Sequence, residues 1–83
     1  EKRPGRIVKN EFEVSDPNGS LYRLDRLVID PYEITIVEYK TGEPSDKHRE
    51  QVSRYKSLLS SMFPGKNLRA LLFYLEKMRV LSL

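Results

Sequence analysis

The sequence predicts an α/β (α+β) domain in the order βββαβ, a three-stranded antiparallel meander followed by a helix and one or more further strands. Three observations carry this. From Arg6 to Lys40 the apolar residues come in strand-length runs separated by turn signals, from Ser45 to Met62 they recur at helical spacing, and from Leu68 to Leu75 they are nearly continuous.

Arg6 to Val14 mixes Ile7, Val8, Phe12 and Val14 with charges and reads as the first strand. It closes at Asp16-Pro17-Asn18-Gly19-Ser20, where Asn-Gly supplies the positive φ of a tight reversal. Leu21 to Ile29 is the second strand, and the third runs from Ile34 through Val37 to Glu38-Tyr39-Lys40. Between them stands a single turn signal, Asp30-Pro31-Tyr32-Glu33. A loop of Pro31 and Tyr32, or of all four residues, pairs positions that sum to 63. Alternation then puts Leu21, Leu27, Ile29, Ile34 and Ile36 on one face and Leu24, Val28, Val37 and Tyr39 on the other. Thr41-Gly42-Glu43-Pro44 breaks the ladder, and Ser45 or Asp46 caps a helix running to about Met62. Its buried stripe is Val52, Tyr55, Leu58, Leu59 and Met62, and Pro64-Gly65 ends it. Leu68 to Leu75 suits a strand buried on both faces, and Val80 to Leu83 a further short strand. The first five residues, Glu1 to Gly5, are expected to fray.

With 83 residues there is room for one domain, because a chain this short buries only about 60% of its unfolded surface. The absence of cysteine excludes disulfides, thiolate zinc sites and cysteine nucleophiles, and suits a reducing, cytoplasmic location. No apolar run approaches the roughly 20 residues of a membrane span, so no membrane partner is expected. Fifteen Lys and Arg against twelve Asp and Glu give a net charge of +3. Lys2, Arg3, Arg6 and Lys9 crowd the start, and Lys47, Arg49, Arg54, Lys56, Lys66 and Arg69 lie in the second half. That distribution fits a phosphate-binding surface or ordinary solvated charge.

The chemistry concentrates in the meander. The register that sums to 63 sets Asp25 opposite Glu38, while period two puts Glu38 and Lys40 on one face. Opposed like charges, with Cβ atoms about 4.5–5.5 Å apart, are unfavourable unless a cation lies between them, and a divalent metal would serve. Arg23 and Lys40 share that register, so the same four residues can instead form a solvated salt-bridge quartet. Their position within an otherwise apolar face favours a site. His48 reads as a surface residue at the helix start.

These features combine into a resemblance. An Asp in the second strand (Tyr22-Arg23-Leu24-Asp25-Arg26), Glu38-Tyr39-Lys40-Thr41-Gly42 in the third, and Gln51-x-x-x-Tyr55 in the helix resemble the PD-(D/E)xK nuclease superfamily, specifically its RecB-like exonuclease branch. The match spans roughly Leu21 to Tyr55. Tyr22 stands where the family usually has Gly, and Glu38 where Asp is commoner. The family core is αβββαβ, and its first helix has no counterpart before Arg6, so the resemblance implies a restriction-endonuclease-like core and a single partial nuclease domain over residues 1–83.

The resemblance further implies Mg²⁺ or Mn²⁺ held by Asp25, Glu38 and the backbone carbonyl of Tyr39. Lys40 would orient the attacking water or stabilise the transition state. Gln51 and Tyr55 would border the active site; Tyr55 also belongs to the apolar stripe, so both roles stay open for it. Arg23, Arg26 and Arg54 would contact phosphates. The implied function is metal-dependent DNA hydrolysis, an exonuclease of a helicase-nuclease or of a stand-alone DNA-repair protein, with a helicase module as possible partner. A catalytically silent nucleic-acid-binding or assembly module is the alternative, and a small mixed α/β interaction domain with chance motifs is a third reading. Because one helix covers one sheet face, the second face is expected to drive homodimerisation. Because the family's first helix carries a metal ligand, its absence here implies that this chain binds metal poorly and cleaves slowly or not at all.

Overall fold

The computed structural model describes residues 4–83. The strands are β1 (Ile7–Ser15), β2 (Leu21–Ile29), β3 (Glu33–Lys40), β4 (Asn67–Tyr74) and β5 (Arg79–Ser82). The helix α1 (Asp46–Met62) lies between β3 and β4, and a 3₁₀ turn, Leu75–Lys77, leads into β5. The five strands form one mixed sheet in the order β1-β2-β3-β4-β5, antiparallel except for the parallel pair β3 and β4. The fold is α+β, with the meander, helix and later strands in the expected order.

Local chemistry explains the boundaries. The β1–β2 reversal is organised by Asp16, whose Oδ1 accepts from the amides of Asn18 and Ser20 at 2.9 Å each, while Gly19 supplies φ +89°. Ser45 caps α1, its Oγ accepting from the Lys47 amide at 3.0 Å, a contact of a kind that contributes about 1 kcal/mol. Pro4 and Gly5, expected to fray, form a turn. Gly5 has φ +77°, and a Cβ there would meet the Pro31 ring at 3.2 Å. Glu1, Lys2 and Arg3, with the fraying and basic charge read for them, lie outside the described residues.

The β2–β3 register is the one that sums to 63, observed from Ile29↔Ile34 to Arg26↔Val37. The faces differ from expectation at one place. In the β1–β2 ladder Glu11 and Asp25 are passed over between Asn10↔Arg26 and Phe12↔Leu24, and Glu11 adopts φ +51°. One residue of each strand leaves the ladder together and the register is the same on either side, so this is a matched interruption rather than a one-sided bulge, and it changes which face the residues beyond it occupy. Leu24 therefore joins Leu27, Ile34 and Ile36 in the core, fully buried, whereas Leu21, expected inside, is 70% exposed.

Helix α1 packs on β3 and β4 and buries Val52, Tyr55 and Leu59 against that core. Leu58 packs beside them, but Met62, expected in the stripe, is 47% exposed because the helix ends there. β4 alternates between buried Ala70, Leu72 and Tyr74 and half-buried Leu71 and Phe73, so it is fully buried on one face rather than on both. Leu75 leaves the strand and is exposed. By alternation the other face carries Val28, Val37, Tyr39, Leu71, Phe73 and Val80. Among the described residues no helix lies over it. None of the described helices is long and apolar enough to cross a membrane.

Candidate functional site

The β2–β3 ladder stops at Arg26↔Val37. In a regular continuation the Tyr39 amide would find a carbonyl on β2; instead it donates to Asp25 Oδ2 at 2.9 Å. The Asp25 amide in turn donates to Glu38 Oε2 at 2.8 Å. Two carboxylates thus take over the work of the ladder where the strands part. A residue in a strand aims its N–H and C=O at the same edge, so the Tyr39 carbonyl also opens toward Asp25.

Glu38 is 3% exposed and is the buried charged residue of the core. Burial pushes its carboxyl above the ordinary value of 4.5. The Asp25 amide opposes that rise, the Asp25 carboxylate adds to it and the Lys40 ammonium opposes it again, with burial the largest effect. The salt-bridge quartet is not formed among the described ion pairs: Arg23 lies 3.5 Å from Glu11, and Lys40 Nζ donates to Gln51 Oε1 at 2.5 Å. Asp25 is half-buried. With Tyr39, Asn10, Glu11 and Arg23 it lines a shallow open depression of about 520 Å³.

From the helix, Gln51 reaches Lys40 while Tyr55, one turn on, is 4% exposed within the core. Burial raises the Tyr55 phenol above 10.0, with the Glu38 and then the Asp25 carboxylate raising it further, against Arg54. Tyr55 thus packs in the core and also feels both carboxylates. Its hydroxyl stays protonated at neutral pH, a donor rather than a base. The three arginines part company. Arg54 lies over the Tyr22 ring at 5.8 Å, and that ring meets Tyr55 edge-on. Arg23 edges the depression, and Arg26 is engaged with Asn10 Oδ1 at 3.0 Å.

His48 is more than a surface residue. It is half-buried, its Nδ1 lies 2.8 Å from the Tyr74 hydroxyl, and the two rings stack obliquely at 5.5 Å. The sequence held one signal for it: His48 stands three residues before Gln51, on the same helix face.

Among the described residues no group of three or more His, Asp or Glu side chains is gathered to hold a metal. Asp25 and Glu38 offer a pair, and with the Tyr39 carbonyl the donors are all oxygen, which fits a hard divalent cation. A cation there would also offset the cost of the buried Glu38 charge. No protein-family model matches the chain, and no curated protein matches it.

Proposed function

We propose that this chain carries the metal-dependent nuclease chemistry of a restriction-endonuclease-like core, of the PD-(D/E)xK superfamily and its RecB-like branch, acting on the phosphodiester bonds of DNA. One observation carries the reading: a nearly inaccessible Glu38 interlocked with Asp25 at a break in the sheet, beside a lysine held by a glutamine. A fold that needed only stability would fill this place with apolar side chains, since buried charge is seldom retained for stability alone.

Asp25 and Glu38, with the Tyr39 carbonyl, would hold Mg²⁺ or Mn²⁺. When bound, the ion supplies Lewis acidity and a water made acidic enough to attack at neutral pH. Lys40 brings a positive charge to the phosphoryl oxygens as negative charge builds on them, and Gln51 aims that ammonium. Tyr55 offers a neutral hydroxyl from the same side. Arg23 and Arg54 are exposed and would meet flanking phosphates; Arg26, bound to Asn10, would first have to leave that bond. In a longer protein a helicase module would deliver the strand. Self-association through the uncovered sheet face belongs to the same proposal, and a stable monomer in sedimentation would remove that part of it.

The test is cleavage of end-labelled single- and double-stranded DNA with Mg²⁺, with Mn²⁺ and with excess chelator. Slow shortening that requires the divalent ion and disappears in Lys40→Ala is the expected result for this chain. Undiminished cleavage in chelator, or by Lys40→Ala, would sink the assignment. The silent-module reading is favoured by one fact, that both carboxylates already accept backbone amides. Retention of DNA with no cleavage under any ion would select it.

A further inference from the structure

On β4, Tyr74 is the register partner of Lys40. Parallel partners project to the same side, so the two side chains emerge together on the face that α1 covers. Tyr74 is 1% exposed, and its hydroxyl meets His48 Nδ1 at 2.8 Å. Gln51, three residues after His48, takes Lys40. Two neighbouring strand residues and two helix residues one turn apart are therefore tied pairwise into a four-membered frame.

We propose that His48 is a positioning residue for Lys40: by clasping Tyr74 it fixes the first turns of α1 at the rotation and height that set Gln51 on the lysine ammonium. The apolar hold of the helix begins only at Val52. Before it, Lys47, Arg49 and Glu50 are exposed, and the side-chain hydrogen bonds described from Asp46–Gln51 to the sheet are His48 to Tyr74 and Gln51 to Lys40. These two links are not alike. Lys40 and Gln51 are long and unbranched and lose much rotamer freedom when held, whereas His48 and Tyr74 are rigid rings with two torsions each, in tilted contact at 5.5 Å between centroids. The stiff pair sets the geometry and the soft pair follows it. Both protonation states of His48 suit the contact, as acceptor from the phenol when neutral and as donor to it when charged.

Lys40's part in phosphodiester hydrolysis rests on the function proposed above; its placement by His48 does not. The test therefore reads the lysine directly. The chain is acetylated with limiting N-hydroxysuccinimidyl acetate, and peptide mass spectrometry gives the labelling rate of Lys40 relative to exposed Lys9 on β1. His48→Ala and Tyr74→Phe are each expected to raise that ratio several-fold, and the double variant no further than either single. His48→Gln, which keeps an amide able to bond the phenol, is expected to restore the low ratio. Tyr74→Phe retains the ring and decides the matter should His48→Ala unfold by circular dichroism. An unchanged Lys40 ratio in folded Tyr74→Phe overturns the proposal, as does an equal rise at Lys66, which would mark general loosening. Absence of cleavage by the parent chain leaves this readout intact, so the two ideas fail separately.

Discussion

The β2–β3 hairpin carries carboxylates at both ends and treats them in opposite ways. At the turn, Asp30 is gripped by Arg6 through Nε and Nη2 at 2.8 and 2.9 Å, and Lys66 Nζ donates to the Asp30 carbonyl at 3.0 Å. Both members of that ion pair are largely covered, at 16% and 17% side-chain exposure. At the open end Asp25 and Glu38 accept only backbone amides among their described bonds, and the ammonium two residues beyond Glu38 goes to Gln51. One end is electrostatically complete. At the other the described bonds of both carboxylates are to backbone amides, and that difference separates a carboxylate that holds a fold from the pair at which the proposed cation would sit.

The contrast can be broken most sharply at Lys40. Its replacement by Ala is expected to lower divalent-dependent DNA cleavage at least about 10²-fold, the scale of losing one preorganised charge in a transition state, while metal affinity and thermal melting stay close to the parent's. Arg6→Ala should do the reverse, leaving cleavage per folded molecule intact. It takes the two Arg6 hydrogen bonds from the covered Asp30 carboxylate at a cost of about 1.5–3 kcal/mol, the range for hydrogen bonds to charged groups, measurable by urea denaturation. Should both variants affect cleavage alike, the two ends are not distinct.

Glu38 sharpens the comparison through pH. Its carboxyl titrates above 4.5 in the folded chain because burial disfavours the charge, so between 4.5 and that raised value the folded state binds more protons than the unfolded one. Stability contributed by the protonated form is present below this window and lost as pH rises through it. Melting temperature without metal is therefore expected to fall as pH climbs past 4.5, and this component should vanish in Glu38→Gln. Saturating Mn²⁺ should stabilise the parent at neutral pH and not the variant. Equal stabilisation of both would place the ion elsewhere. The smallest effect is expected from Arg23→Ala, which breaks an exposed 3.5 Å pair with Glu11; exposed pairs are worth less than about 0.5–1 kcal/mol, and urea denaturation should barely register the change.

Much of the hairpin was legible in the sequence because turn chemistry and strand period are local. Asp30-Pro31-Tyr32-Glu33 closes a loop whose register carries unchanged to Arg26↔Val37, and Ser45 declares its helix through its own side chain. The reset at Asp25 was not legible, because the residue with positive φ is Glu11, neither Gly nor Asn, and it sits on a neighbouring strand. Strict alternation therefore put Leu24 on the wrong face. His48 escaped for a related reason. Its partner Tyr74 lies 26 residues downstream, on a strand whose pairing no local pattern specifies.

The parallel pairing of β3 with β4 bears on the order of assembly. Ile29 meets Ile34 across a tight turn, whereas Glu33↔Asn67 and Lys40↔Tyr74 each join residues 34 apart. Closing the longer loop costs more chain entropy, and its contacts reward the chain only after the intervening helix has docked. The meander is thus expected to condense first, with Asp25 and Glu38 already crossed, and Lys40 to gain its glutamine in the final step. A nascent or heat-opened molecule would expose its acidic pair before its lysine is in place, and refolding followed by pulsed lysine acetylation should find Lys40 the last to become protected.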